Sequence, residues 1–116
     1  MKEIFIVEDD DGIRELLEFL LESQQYVVKT FPTARAFYKT VPEKVPDLFL
    51  LDIMLPDGNG VDLCRALKGS AETRSIPVVL MSAHADISRT EGADDFIAKP
   101  FDVDELLQRI EKQLAS

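Results

Sequence analysis

The stretch from Leu48 to Asp52 (LFLLD) constrains the fold of this chain more than any other. Its four successive apolar residues are typical of a strand that is buried on both faces, because a strand with one wet face alternates apolar and polar residues. The carboxylate of Asp52 follows where this strand leaves the core, and open α/β sheets bind ligands at that position. A strand-end aspartate can also serve solubility alone, so the ends of the other strands must decide between the two interpretations.

Strand-like and helix-like segments alternate along the rest of the chain. The predicted strands are short runs rich in β-branched and aromatic residues, and the predicted helices carry apolar residues three and four positions apart. The strands cover residues 2–7, 26–31, 47–52, 77–82 and 95–98, and the helices cover residues 12–24, 32–41, 60–68 and 102–114. Parallel strands need intervening helices, so this order predicts a doubly wound parallel five-stranded α/β sheet with helices on both faces. The strand order stays open.

Length, charge and cysteine content limit the function classes. A chain of 116 residues suits one domain with one core. The net charge of −9, from 22 acidic and 13 basic side chains, argues against direct nucleic-acid contact and against an anionic membrane surface. Cys64, the single cysteine, lies in a helical pattern beside Leu63 and Leu67 and is expected to be a small core hydrophobe.

No sequence signal places the chain in or across a membrane. No apolar run approaches the roughly 20 residues of a membrane span. The N-terminus is strand-like and then acidic, which does not fit a signal peptide. The cytoplasm is therefore the expected location.

Polar side chains follow four of the five predicted strands. The first strand ends in Glu8 and Asp9, the third in Asp52, the fourth in Ser82 and the fifth in Lys99. The second strand ends without a polar side chain, as expected of a strand at the sheet margin. Because the carboxyl ends of parallel strands share one edge, these three carboxylates, one hydroxyl and one ammonium should lie together.

This set of groups fits phosphoryl transfer. Clustered carboxylates repel one another and favour a bound cation, and oxygen ligands with room for water suit Mg²⁺ or Mn²⁺. A metal, a lysine and a hydroxyl can stabilise phosphoryl oxygens while the carboxylate of Asp52 attacks and forms an acyl phosphate. The acidic run from Glu8 to Asp11 could instead be a solvated turn, and for Asp10 and Asp11 a helix-capping role is preferred.

Four blocks of sequence carry a resemblance to a known family: IFIVEDD, LLDIMLPDGNG, MSA and GADDFIAKPF. Together they resemble a response-regulator receiver domain of two-component signalling, of the chemotaxis-regulator type, over nearly all of residues 1–116. The resemblance implies a flavodoxin-like fold of five βα units.

The resemblance implies a role for each matching residue at the acceptor site. Asp52 matches the phosphoacceptor, and Lys99 matches the lysine that pairs with a phosphoryl oxygen. Asp9 matches a direct metal ligand, Glu8 a ligand acting through water, and Met54 the residue whose backbone carbonyl completes the metal site.

The resemblance also implies a switch and a means of tuning its rate. Ser82 and Phe96 match the hydroxyl and the aromatic residue that shift together after phosphorylation. Met54 and His84, two residues beyond Asp52 and Ser82, match positions that tune how water reaches the phosphoryl group. The peptide bond after Lys99 is commonly cis in the family.

The implied function is a phosphorylation switch. A sensor histidine kinase, a phosphotransfer protein or a small phosphodonor would phosphorylate Asp52, and an effector that the sequence does not identify would read the result. The domain would be a monomer or a phosphorylation-dependent dimer. It would not be an enzyme beyond its own phosphorylation and dephosphorylation.

Two other functions compete with this one. A pseudo-receiver would be a protein-interaction scaffold that takes no phosphate, but such domains lose residues that this chain keeps. An aspartyl-phosphate phosphatase would need a second catalytic aspartate two residues after the nucleophile, where Met54 stands.

One segment departs from the family pattern. Between Ser82 and Lys99 this chain is several residues shorter than most receivers, and the missing length falls in HADISRTEG. The sequence therefore predicts a fourth helix that is short or irregular, together with a modified output surface.

Overall fold

The computed structural model describes residues 1–41, 43–83 and 92–115 of the chain. These ranges contain the five predicted strands and the four predicted helices, together with two short strands that were not predicted. The strands are β1 (Glu3–Val7), β2 (Val27–Phe31), β3 (Leu48–Asp52), β4 (Met54–Leu55), β5 (Gly58–Asn59), β6 (Val78–Ser82) and β7 (Asp95–Ala98). The helices are α1 (Asp11–Ser23), α2 (Ala34–Thr40), α3 (Gly60–Lys68) and α4 (Val103–Ala115).

Five of the strands form one parallel sheet in the order β2-β1-β3-β6-β7. This confirms the predicted flavodoxin-like α/β fold. The second strand lies at the margin, as its apolar end suggested. β3, the most apolar strand, lies at the centre, and its register places Leu51 beside Val7 of β1 and Leu80 of β6.

The sheet is buried because alternate residues of its strands face two separate apolar clusters. Phe5, Phe49 and Leu51 face the cluster that contains Phe37 of α2 and Leu63 of α3. The residues between them face a second cluster: Ile4, Ile6, Leu48 and Leu50 pack with residues of α1 and α4 that include Leu17, Leu21, Leu106 and Ile110. The continuous apolar run of β3 therefore reflects two covered faces rather than one.

Smaller predictions can also be compared with the structure. Cys64 is fully buried, as expected of a core hydrophobe. Asp10 caps α1, because its side chain accepts a hydrogen bond from the Ile13 amide. The Lys99–Pro100 peptide bond is cis. The short or irregular fourth helix was expected in HADISRTEG, residues 84–92, of which 84–91 lie outside the described residues.

The sequence did not predict the short antiparallel hairpin β4–β5 directly after β3. Two-residue strands are too short to produce a periodic pattern. No helix within the described ranges has the length and apolar character needed to span a bilayer.

Candidate functional site

The carboxyl edge of the sheet carries polar side chains that are almost entirely removed from water. Glu8 is 0% exposed, Asp52 5% and Ser82 1%. Burying a charged group is costly unless it has a partner. These residues were predicted to lie at this edge, and the structure places them there.

Asp52 is positioned by hydrogen bonds of the backbone that follows it. The amide of Ile53 donates to the carbonyl of Met81, with an N–O distance of 3.0 Å, so the chain stays paired with β6 just beyond Asp52. The amide of Met54 donates to Oδ1 of Asp52 at 3.3 Å. The amide of Gly60 then donates to the carbonyl of Ile53 at 2.9 Å and closes the loop where α3 begins. One carboxylate oxygen of Asp52 is thus oriented by its own loop.

Lys99 bridges two carboxylates from different strands. Its Nζ lies 2.5 Å from Oε1 of Glu8 and 3.1 Å from Oδ2 of Asp52. Burial alone would lower the pKa of Lys99, but the hydrogen bond to Glu8 and the charges of Glu8 and Asp52 outweigh it and raise that pKa. The side chain therefore stays an ammonium and supplies the positive charge of the site.

The pKa of Glu8 is raised mainly because burial disfavours its charged form. The hydrogen bonds from Lys99 and from the Asp10 amide, the latter at 3.1 Å, oppose part of this effect. The sequence placed Lys99 at the edge but did not predict its bond to Glu8.

Glu8, Asp9 and Asp52 form a cluster that fits a divalent cation. One carboxylate oxygen from each lies within 4.8 Å of the others. Asp9 is exposed, so the cluster opens to solvent, whereas Glu8 and Asp52 form its buried floor. An all-oxygen donor set with room for water suits Mg²⁺ or Mn²⁺. The sequence predicted these three carboxylates as metal ligands, together with the backbone carbonyl of Met54.

Arg14 of α1 holds the loop that carries the acidic pair. Its Nη1 donates to the backbone carbonyls of Glu8 at 3.0 Å and of Asp9 at 3.4 Å, and its Nη2 bonds the carboxylate of Asp11. Arg14 was not among the residues predicted for the site. The only signal was a basic residue one helical turn into α1, and nothing in its spacing shows that it reaches back to carbonyls.

The expected switch residues lie on neighbouring strands. The amide of Lys99 donates to the carbonyl of Ser82 at 2.8 Å, which continues the β6–β7 pairing past the strand ends. Phe96 is half-buried and packs against the cluster that contains Phe5. Met54, expected to tune the rate, has a side chain that is 60% exposed. His84, the other such residue, lies outside the described residues.

Asp57 was also missed. It lies at the tip of the β4–β5 hairpin and accepts hydrogen bonds from the amides of Ala34 and Arg35. The sequence Pro56-Asp57-Gly58 predicts a turn, but a turn residue does not reveal a partner 22 or 23 positions away.

The carboxyl edge of this open parallel sheet thus carries a buried acidic floor, a lysine bridge and a hydroxyl. Comparison with known proteins gives the family. The profile of the family described as response regulator receiver domain matches residues 4–111. The chain belongs to this family.

Three relatives show how far the likeness extends. The phosphate regulon transcriptional regulatory protein PhoB of Rhizobium meliloti is 34% identical over 98% of this chain and 52% of its own length. The receiver domain of a signal transduction histidine kinase from Syntrophus aciditrophicus has a TM-score of 0.93 at 34% identity, covering 99% and 91% of the two chains. The response regulator TrrA of Thermotoga maritima, solved in complex with Mg²⁺-BeF, has a TM-score of 0.87 at 27% identity, covering 97% and 99%.

The chain spans about half the length of the curated relatives that it matches. The likeness to those relatives therefore concerns the receiver domain and not the rest of their chains.

Proposed function

We propose that this domain is a phosphorylation switch in which Asp52 accepts a phosphoryl group in a Mg²⁺-dependent reaction. The observation that carries the proposal is the Lys99 ammonium, which lies 3.1 Å from the acceptor carboxylate and 2.5 Å from Glu8, beside the acidic cluster. A buried carboxylate next to a fixed cation and a candidate metal site has what phosphoryl transfer needs.

In the proposed reaction a carboxylate oxygen of Asp52 attacks the phosphorus of a phosphohistidine. The new O–P bond forms as the P–N bond breaks, and the imidazole leaves with the electron pair of that bond. Lys99 neutralises one oxygen of the transferred group. Mg²⁺, held by Glu8, Asp9, Asp52 and the Met54 carbonyl, would supply further positive charge against the phosphoryl oxygens. Water later hydrolyses the acyl phosphate and restores Asp52.

The switch is proposed to run through β6 and β7. A phosphoryl group on Asp52 offers acceptors to the Ser82 hydroxyl, which ends the neighbouring strand. Phe96, on the strand beside β6, is half-buried against the cluster that contains Phe5 and would move inward when Ser82 shifts. Met54 and His84 would set how quickly water reaches the phosphoryl group. The charge added at Asp52 would thus change the surface formed by β6 and β7.

The partners follow from this reaction. A sensor histidine kinase or a phosphotransfer protein would supply the phosphoryl group, and an effector would read the altered surface. Several relatives carry names of transcriptional regulators, including PhoB and CseB, which supports a role in a regulatory chain. The proposed compartment is the cytoplasm.

The test is the mass of the intact protein after incubation with Mg²⁺ and acetyl phosphate. Wild type is expected to gain one phosphoryl group, and Asp52→Asn is expected to gain none. Asp47→Asn is the matched control, because Asp47 precedes the opposite end of the same strand and is exposed. It should be modified like wild type.

Two results would reject the acceptor assignment. One is a wild type that gains no mass with acetyl phosphate and shows no change of its NMR spectrum with Mg²⁺ and beryllofluoride. That result would favour a scaffold that takes no phosphate. The other is equal modification of wild type and Asp52→Asn, which would place the phosphoryl group on another residue.

A further inference from the structure

The loop that follows the proposed acceptor is tied to a distant helix by one side chain. Asp57 lies between β4 and β5, and its Oδ1 and Oδ2 accept hydrogen bonds from the amides of Ala34 at 2.9 Å and Arg35 at 3.0 Å. Both amides belong to the first turn of α2. A single carboxylate thus accepts hydrogen bonds from two backbone amides of a helix, and these amides lie 22 and 23 residues before it in the sequence.

These bonds complete the capping of α2. The first amides of a helix have no partner inside the helix. Asp57 satisfies those of Ala34 and Arg35, and the Thr33 side chain accepts from the amide of Ala36 at 3.1 Å. The first turn of α2 has no acidic residue of its own, so Asp57 supplies the negative charge that suits a helix N-terminus. The two amide bonds lower the pKa of Asp57, because they stabilise its charged form.

On the side of the sheet the hairpin is attached by the Met54 amide, which donates to Oδ1 of Asp52 at 3.3 Å, and by Leu55, which packs against the cluster that contains Phe5. β4 and β5 pair through only two residues each, Met54 with Asn59 and Leu55 with Gly58. The bond from the Gly60 amide to the Ile53 carbonyl fixes the base of the hairpin. Asp57 fixes the tip. Met54, whose carbonyl is the expected metal ligand, lies between these two attachments.

We propose that Asp57 is a positioning residue for the acceptor site. By holding the hairpin tip on the first turn of α2, it fixes the Met54 backbone and so prepares one ligand of the metal site. The inference rests on the proposed function, because it takes the Met54 carbonyl as a metal ligand. Since coupling between two sites is reciprocal, metal binding should in turn strengthen the contact between the hairpin and α2.

Thr33→Ala is a matched control for Asp57→Ala. Both substitutions remove a side-chain cap from the same turn of α2, but only the second releases the hairpin. The full chain of each variant is titrated with Mg²⁺ by calorimetry, and hydrogen exchange of the hairpin amides, residues 54, 55 and 57–59, is followed by NMR. We expect both variants to weaken α2. Asp57→Ala alone should speed exchange in the hairpin and weaken Mg²⁺ binding by about tenfold, as loss of a group that supports a metal ligand commonly does.

The outcomes separate this role from the proposed function. If wild type binds Mg²⁺ and Asp57→Ala binds it equally well, the positioning role is overturned and the acceptor assignment stands. If Thr33→Ala weakens binding as much as Asp57→Ala, the effect comes from the stability of α2 and the positioning role is again overturned. A wild type that binds no Mg²⁺ would overturn the metal site and this role together.

Discussion

At the scale of one residue, Lys99 joins two carboxylates across the edge of the sheet, because its Nζ lies 2.5 Å from Oε1 of Glu8 and 3.1 Å from Oδ2 of Asp52. Its place at the end of a strand was predictable, because a strand-like run precedes it. The bond between Lys99 and Glu8 could not be predicted. β7 lies three places from β1 in the sheet, and the sequence does not give the strand order. The long lysine side chain reaches past β6 to both carboxylates. A shorter cationic side chain at this position could not join them.

Gly60 is the residue where the acceptor loop leaves no space for a side chain. A Cβ built on Gly60 would overlap the carbonyl oxygen of Asp52 and lie 2.9 Å from the Asp52 carbonyl carbon and the Ile53 Cα. We expect Gly60→Ala to push the backbone of Asp52 out of place and to cost about 2–3 kcal/mol of unfolding free energy. Urea denaturation measures the loss.

Gly58→Ala is the control for this prediction, in the same loop. A Cβ at Gly58 would lie 3.4 Å from the Ala34 side chain, which is an ordinary contact. Its unfolding free energy should stay within about 1 kcal/mol of wild type. Equal losses in the two variants would show that the loop tolerates no alanine and that the close approach to Asp52 is not the cause.

At the scale of elements, α3 is joined to the sheet by the side chain of its last residue. Lys68 Nζ donates to the carbonyl of Ile76 at 3.0 Å and to Oδ2 of Asp94 at 2.7 Å, and the same carboxylate oxygen accepts from the amide of Val78 at 2.8 Å. These bonds join the end of α3 to the starts of β6 and β7. Lys68→Met should lower the unfolding free energy by about 1–2 kcal/mol, because it leaves a carbonyl and a carboxylate without their cation.

Arg65→Met tests whether any lost cation of α3 has this effect. Arg65 pairs with Asp62 at 3.5 Å, and both side chains are 71% exposed. Exposed ion pairs of this kind contribute little to stability, so the unfolding free energy of Arg65→Met should stay within about 0.5 kcal/mol of the wild-type value. If Arg65→Met and Lys68→Met lose the same stability, the contact of Lys68 with the sheet is not what stabilises the end of α3.

The elements that the sequence predicted share one property, which is a repeated pattern. The helix predicted at residues 60–68 is α3 without any change of bounds, because its apolar positions recur at helical spacing. The hairpin β4–β5 and the cap that Asp57 provides for α2 have no such repeat. They depend on contacts that exist only after the sheet has brought distant turns together.

At the scale of the whole molecule, the predicted site depended on a topology that the sequence left open. Parallel strands put Glu8, Asp52, Ser82 and Lys99 at one edge in any order, so the constellation could be predicted without the strand order. The distances between these side chains could not be predicted, because Asp52 lies close to Glu8 only if β1 and β3 are neighbours in the sheet, as they are. The strand order of the sheet therefore sets the distances between the side chains of the site.

The acidic charge of the whole domain leads us to expect that Mg²⁺ stabilises its folded state. The chain carries a net charge of −9, and three of its carboxylates meet in one cluster. Ligand binding to the folded state alone stabilises it by RT ln(1 + [L]/Kd), so Mg²⁺ at ten times its Kd should add about 1.4 kcal/mol. For a domain of this size we expect Tm to rise by about 4–6 °C. Calorimetric melting with and without Mg²⁺ measures the shift.

General screening of an acidic chain must be separated from binding at the site. Melting in NaCl of matched ionic strength gives the screening part, since it acts on all exposed charges. Asp9→Asn should lose the remaining gain, because it removes a carboxylate of the cluster, and its metal-free stability should not fall, because one repulsion is relieved. Asp104→Asn makes the same change of net charge on α4 and should keep the gain. The same Mg²⁺-dependent rise in Asp9→Asn and Asp104→Asn would mean that the ion acts on the charge of the domain as a whole and not through the cluster.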